Sequence, residues 1–289
     1  MRWTPGGQSD DIEDRRGEGG GGGGIGGMHI GIGGFLILLV LSLVFKRDFF
    51  SLLGGQGVAT GPALSQPDPQ RDAREQPTVQ FVSFVLDDVQ KTWTGIFQEK
   101  GATYPHAKLV LFRDATYSGC GTAQAATGPF YCPEDQKVYI DLGFYDELEQ
   151  RFGAPGKFAQ AYVLAHELGH HVQNLLGIER KVRSLQGQNP GAGNALSVRL
   201  ELQADCFAGV WAQSTQQRGL LEAGDVESAL GAAAAVGDDR LQRMSGGRVS
   251  PETFTHGSSA QRMDWFQRGM NGGTIESCNT FQQFVRERR

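Results

Sequence analysis

Residues 161–176 read AYVLAHELGHHVQNLL, and both the fold and the chemistry of the chain turn on how that stretch is folded. Ala161, Leu164, Ala165, Leu168, Val172, Leu175 and Leu176 recur at three- and four-residue spacing, the period of a helix with one buried stripe. Pro155 upstream suits a first helical turn, and Gly177 downstream tolerates the left-handed conformation that closes a helix. The spacing therefore predicts a helix between them. Within it His166 and His170 stand one turn apart on a shared face, nearly opposite the apolar stripe.

Two imidazoles on one face with a carboxylate, Glu167, beside the first make an HExxH pattern, the donor arrangement of a zinc hydrolase. A plain amphipathic helix with its polar residues outward is the alternative, and it leaves the coincidence of period, boundaries and ligand face unexplained. A catalytic zinc is usually held by three protein ligands and a water, so a third ligand is expected elsewhere. Glu201 is the candidate. It lies in RLELQADCFAG, residues 199–209, where Leu200, Ala204, Phe207, Ala208 and Trp211 predict a second buried helix with Glu201 and Asp205 on one face. Carboxylates rarely enter an apolar helix without partners. A metal for Glu201 and a ligand imidazole N–H for Asp205 would supply them, while a surface pair of Glu201 with Arg199 or Arg183 is the competing reading.

HELGHHVQNLLG followed by ELQADCFAG resembles the YpfJ-type family of neutral zinc metallopeptidases and, more broadly, the Glu-zincin group, which includes membrane-anchored peptidases. The similarity runs from about Phe81 to about Phe284 and takes in GCG at 119–121, GPFYCP at 128–133 and VYIDLGFYDEL at 138–148. The resemblance implies zinc ligation by His166, His170 and Glu201, general-base catalysis by Glu167, and a peptide or protein substrate. It implies little about which peptide.

Zinc lowers the pKa of a bound water toward ~7, and Glu167 is placed to take that water's proton. A tetrahedral intermediate also needs a donor for its oxyanion. His256 in FTHGSSAQRMDWF, or Arg262 shortly after it, could serve; packing beside a helix that starts near Ser258 explains His256 equally well. His171 adjoins His170, but one residue step turns a side chain by about 100°, so it is expected to pack or hydrogen-bond behind the ligands. His106 and His29 are not assigned to the metal.

The uncharged run IGIGGFLILLVLSLVF at 30–45 is short for a membrane-spanning helix of ~20 residues, although ~17 is tolerated. Phe49, Phe50, Leu52 and Leu53 continue it past Lys46, Arg47 and Asp48, so residues 29–53 are read as one transmembrane helix. A cleaved signal peptide and a buried core helix are the alternatives. Arg15 and Arg16 on one side and Lys46 and Arg47 on the other give no clean orientation. Cys120, Cys132, Cys206 and Cys278 form no CxxC pair. Pairing Cys120 with Cys132 and Cys206 with Cys278 implies an oxidising, extracytoplasmic location, and buried free thiols are the other reading.

The expected organisation is a disordered Gly-rich tail over 1–28, the membrane anchor, a Gly- and Pro-rich linker over 54–77, and one domain over 78–289. The expected fold is α+β, mostly helical and zincin-like with a small sheet. Val82, Val85, Leu86, Val89, Trp93, Ile96 and Phe97 predict a first helix; AKLVLF (107–112) and KVYIDL (137–142) predict strands, the second either a core strand or an edge for an extended peptide. VESALGAAAAVGDDRL, SAQRMDWFQRGM and residues 275–286 predict later helices. A net charge of −5 without a basic cluster in the domain argues against nucleic acid. HExxH fixes the metal chemistry more than the scissile bond, so a zinc hydrolase of an envelope amide or ester and a non-catalytic membrane-tethered binding protein stand as alternatives.

Overall fold

The computed structural model describes residues 1–17, 68–125 and 128–281. Strand β1 (Ile12–Asp14) is followed by helix α1 (Pro69–Glu99), then by β2 (Lys108–Phe112), β3 (Ala115–Ser118), β4 (Gly121–Gln124), β5 (Phe130–Cys132) and β6 (Lys137–Asp141). Helices complete the domain: α2 (Gly143–Gln150), α3 (Lys157–Leu175), α4 (Ile178–Gln188), α5 (Gly193–Gln217), α6 (Asp225–Ala235), α7 (Asp238–Met244) and α8 (Ser259–Gly272). This is a mostly helical α+β architecture, as the sequence predicts.

The sheet runs β1-β2-β6-β5, parallel except for the antiparallel β5–β6 pair, and β3 and β4 form a separate hairpin. KVYIDL is therefore an inner strand, hydrogen-bonded on both sides, and β1 and β5 are the outer strands among the described residues. The core-strand reading of this segment holds, and the central residues Val138, Tyr139 and Ile140 are buried whichever face they take, as in an inner strand.

The core lies between the sheet and α1, α3 and α5. Trp93 of α1 meets Phe207 of α5 edge-on with centroids 5.3 Å apart, and Phe158 of α3 stacks on Trp211 of α5 at 5.5 Å. Small residues let the helices close. A Cβ on Gly169 would come within 3.0 Å of the Ala204 carbonyl, which draws α3 onto α5. A Cβ on Gly269 would lie 1.9 Å from the Cys206 carbonyl, so α8 seats on α5 backbone to backbone. Disulfides join Cys120 to Cys132 and Cys206 to Cys278, the pairing expected from sequence.

Several expectations are corrected. Residues 1–17, expected in a disordered tail, are folded onto the domain: β1 pairs in parallel with β2, and the Met1 ammonium is buried 2.8 Å from Asp225. Composition misled because the segment is held by backbone pairing and ion pairs, with only Met1, Trp3 and Ile12 meeting the apolar core. Helix α1 starts at Pro69, inside the expected linker, with Asp68 accepting hydrogen bonds from the Gln70 and Arg71 amides as its cap. VESALGAAAAVGDDRL makes two helices, broken at Gly237, where a Cβ would fall 2.4 Å from the Ser259 nitrogen. The helix expected over 275–286 is a single 3-10 turn, Glu276–Cys278, among the described residues. The expected membrane segment, residues 29–53, lies outside the described residues, and none of the helices described is long and apolar enough to cross a membrane.

Candidate metal centre

Helix α3 carries His166 and His170 on its cleft side, their rings 4.9 Å apart and nearly perpendicular. Helix α5 brings Glu201 against both: Oε2 lies 3.2 Å from His166 Nε2, and Oε1 lies 3.5 Å from His170 Nε2. One donor atom from each of the three residues lies within 4.8 Å of the others. Arg183, the surface alternative for Glu201, pairs instead with Glu179.

The other nitrogen of each ring is tied down. His166 Nδ1 meets Asp205 Oδ1 at 2.8 Å, and His170 Nδ1 meets Gln173 Oε1 at 2.9 Å. With Nδ1–H donating to an oxygen, each neutral imidazole turns its Nε2 lone pair toward Glu201, the orientation that outer acceptors impose on metal-binding histidines. The donor set of two imidazoles and one carboxylate is that of a catalytic zinc site, so these residues fit the ion. Gln173 is itself fixed, donating to the Leu200 carbonyl at 2.7 Å and to Gln203 Oε1 at 3.1 Å.

Asp205 is completely buried and carries most of the local charge balance. It accepts from Arg262 Nε at 2.8 Å, from a second Arg262 nitrogen at 2.8 Å, and from the Tyr162 hydroxyl. Burial alone would raise its pKa, but the Arg262 guanidinium and His166 outweigh that and hold the carboxyl down at about 2. Burial likewise pulls the His166 imidazolium down, and the Asp205 carboxylate more than reverses this, to about 10 in the metal-free protein. Glu201 is also depressed, burial being overcome first by His170 and then by His166.

His166, His170, Glu201 and Glu167 line one cleft of about 530 Å³. His256 and Arg262 line it too. Arg262 is committed to Asp205, whereas His256 is half exposed and hydrogen-bonded through Nδ1 to Asp238 at 3.1 Å. One wall is apolar, formed by Phe144, Val163, Val236 and Leu241, and Phe130 and Tyr131 bring the edge strand β5 to the mouth. His171 is buried behind that strand, its Nε2–H donating to the Pro105 carbonyl at 2.7 Å while Nδ1 accepts from the Tyr131 hydroxyl at 3.0 Å. His106 lies apart, paired with Asp11 at 2.7 Å, and His29 is outside the described residues.

The sequence reading missed Gln173 and Tyr162. Both had a signal: each sits one turn from a ligand histidine, on the same helix face.

The sequence profile of the family described as "Putative neutral zinc metallopeptidase" matches residues 1–281. The chain belongs to this family. It is 50% identical to YpfJ of Escherichia coli K12 over 99% of this chain and 100% of that one. Proteins of Mycobacterium tuberculosis H37Rv and Mycobacterium bovis are 45% identical over 78% of this chain and 77% of their own. No solved structure matches. The profile includes residues 1–17, and the structure gives a reason: that segment contributes a strand to the domain.

Proposed function

We propose that the protein is a zinc-dependent peptidase whose metal is held by His166, His170 and Glu201 and whose general base is Glu167. The observation that carries this reading is the pinning of both imidazoles at Nδ1, which leaves two Nε2 atoms converging on one carboxylate beside a further carboxylate in the same cleft. Zinc in that position supplies a water of lowered pKa and polarises a carbonyl oxygen. Glu167 accepts the proton of the attacking water and hands it to the leaving amine, a task for a carboxylate that is close to the ligands without being one. His256 is the candidate donor to the developing oxyanion, since Arg262 is occupied by Asp205.

The outer edge of β5, which pairs with no strand among the described residues, supports an extended peptide as substrate, because such an edge beside the cleft offers main-chain hydrogen bonds to a second strand. The apolar wall supports a bulky apolar side chain next to the scissile bond. The two disulfides support an oxidising, extracytoplasmic location, and the apolar run at 30–45 supports contact with a membrane.

Cleavage of a degenerate peptide library by the full chain, with and without a chelator, tests the reading. Activity should vanish on chelation, return with zinc, and be absent from a zinc-loaded Glu167→Gln variant. No cleavage at full zinc occupancy would move the assignment to an envelope amide or ester, which the same chemistry could attack, or to a binding protein.

A further inference from the structure

We propose that the metal centre reaches through two glutamines to the Cys206–Cys278 disulfide: Gln203, held by the Cys278 carbonyl, fixes the sense of Gln173 and so keeps His170 in the tautomer that can hold a metal. The inference rests on the reading of His170 as a zinc ligand and deepens it by naming what positions that ring.

The two imidazoles are held by unlike acceptors. His166 Nδ1 faces the Asp205 carboxylate, which when ionised can only accept, so the proton on that nitrogen is assured. His170 Nδ1 faces the Gln173 amide at 2.9 Å, and an amide can offer either its oxygen or its nitrogen. With the nitrogen turned to the ring, Nδ1 would have to accept, the proton would sit on Nε2, and the lone pair facing Glu201 would be lost. Whatever holds the rest of the Gln173 amide therefore decides whether His170 is a ligand.

That hold leads away from the cleft. Gln173 Nε2 lies 2.7 Å from the Leu200 carbonyl oxygen and 3.1 Å from Gln203 Oε1, so both of its hydrogens have an acceptor. Gln203 is two-sided as well, and its Nε2 lies 2.9 Å from the Cys278 carbonyl oxygen. A carbonyl only accepts, which turns the Gln203 nitrogen toward Cys278 and its oxygen toward Gln173. Gln173 is then turned with its nitrogen toward Leu200 and Gln203 and its oxygen toward His170. Reversing either amide would set oxygen against oxygen, or N–H against N–H. Gln173 is 1% exposed and Gln203 4%, so bulk water cannot repair the mismatch.

Cys278 can impose this sense because it is anchored. The disulfide ties it to Cys206, the residue after Asp205 on α5, and nearby the Thr280 hydroxyl donates to the Arg199 carbonyl of the same helix at 2.8 Å. The crosslink thus stands at the far end of a relay of three hydrogen bonds whose near end is the His170 ring.

Zinc affinity of the full chain, by chelator competition, and nitrogen-15 NMR of the zinc-loaded protein test the relay. Gln203→Met keeps the length of the side chain and removes both hydrogen-bonding groups. Zinc affinity should fall roughly tenfold, the lower end of the range for an outer partner of a ligand. Exchange of the His170 Nδ1 proton with solvent should quicken, while the His166 Nδ1 proton, held by Asp205, stays as it was. An unchanged affinity or an unchanged His170 proton would overturn the proposal, and so would equal quickening at both rings, which is general loosening. The pair Cys206→Ala and Cys278→Ala should lower zinc affinity in the parent chain and add nothing in Gln203→Met, because both changes cut one relay. Additive losses would overturn it. Should Gln203→Met fail to fold, undiminished zinc affinity in the cysteine pair variant overturns the proposal by itself. Zinc binding that survives His170→Ala would sink the ligand reading and the relay together, whereas binding that needs His170 and ignores Gln203 would sink the relay alone.

Discussion

Arg262 grips both carboxylate oxygens of Asp205, two guanidinium nitrogens lying 2.8 Å away, in a place where both side chains are buried. Asp205 in turn holds the proton of His166 Nδ1. Removing the guanidinium strands a buried carboxylate between a ligand imidazole and a tyrosine hydroxyl, at a cost of about 3–5 kcal/mol. Arg262→Met should lower the unfolding free energy by that amount in urea titrations of the metal-free protein. A loss below about 1 kcal/mol would mean that the pair contributes little.

Gln173 does for His170 what Asp205 does for His166, without a charge. Gln173→Leu leaves the helix period intact and deletes the acceptor together with the donor to Leu200 and Gln203. Zinc affinity, measured by competition with a chromogenic chelator, should fall about 10–100-fold while the circular dichroism spectrum is unchanged. Unaltered affinity would show that the ring is oriented by packing alone.

Zinc binding should be proton-linked. In the metal-free protein burial opposes the His166 imidazolium but Asp205 raises its pKa from the ordinary 6.5 to about 10. That is the sign of a folded-state pKa above the unfolded one. Its stabilisation of the metal-free fold is complete below the unfolded value and is lost as pH rises through the folded one. Zinc needs the neutral ring, so below that pH it must displace a proton. Calorimetry at pH 8 in buffers of different ionisation enthalpy should report proton release on zinc uptake, and uptake without release would refute the linkage.

The apolar wall of the cleft should set side-chain preference. Val163 stands one helical turn before Glu167 and lines the cleft together with Phe144. Val163→Asp places a charge where an apolar side chain is expected to sit. Cleavage of peptides with Leu or Phe beside the scissile bond should drop by at least tenfold in kcat/KM, with zinc content unchanged. Equal loss on peptides with small or polar residues there would dissociate the wall from specificity.

Much of the centre was legible in the sequence because its parts are local. A helix period, a closing glycine and two histidines one turn apart fix α3 and the face on which His166 and His170 stand, whatever the rest of the chain does. Asp205 follows Glu201 by one turn for the same reason. The Gly-rich excursion between Cys120 and Cys132 suggested their crosslink and left Cys206 for Cys278, and β2 and β6 were readable from their runs of β-branched and aliphatic residues, whereas β1, β3, β4 and β5 were not. Nor was sheet order, since β5 and β6 differ in partners rather than in local pattern, and only assembly reveals which of them is an outer strand among the described residues.

What the sequence determined by itself is thus the main helices, the two strands β2 and β6 and the donor types that α3 and α5 present, because hydrogen bonding within a helix and the burial of its stripe are settled over a few residues. Tertiary structure alone decided that Glu201 meets both imidazoles, that Arg262 and Gln173 stand behind them, and that residues 1–17 complete the sheet. Those contacts join residues far apart in the chain through ion pairs and close backbone approaches such as Gly169 on Ala204. No periodicity records them, because their energy exists only once the partners have been brought together.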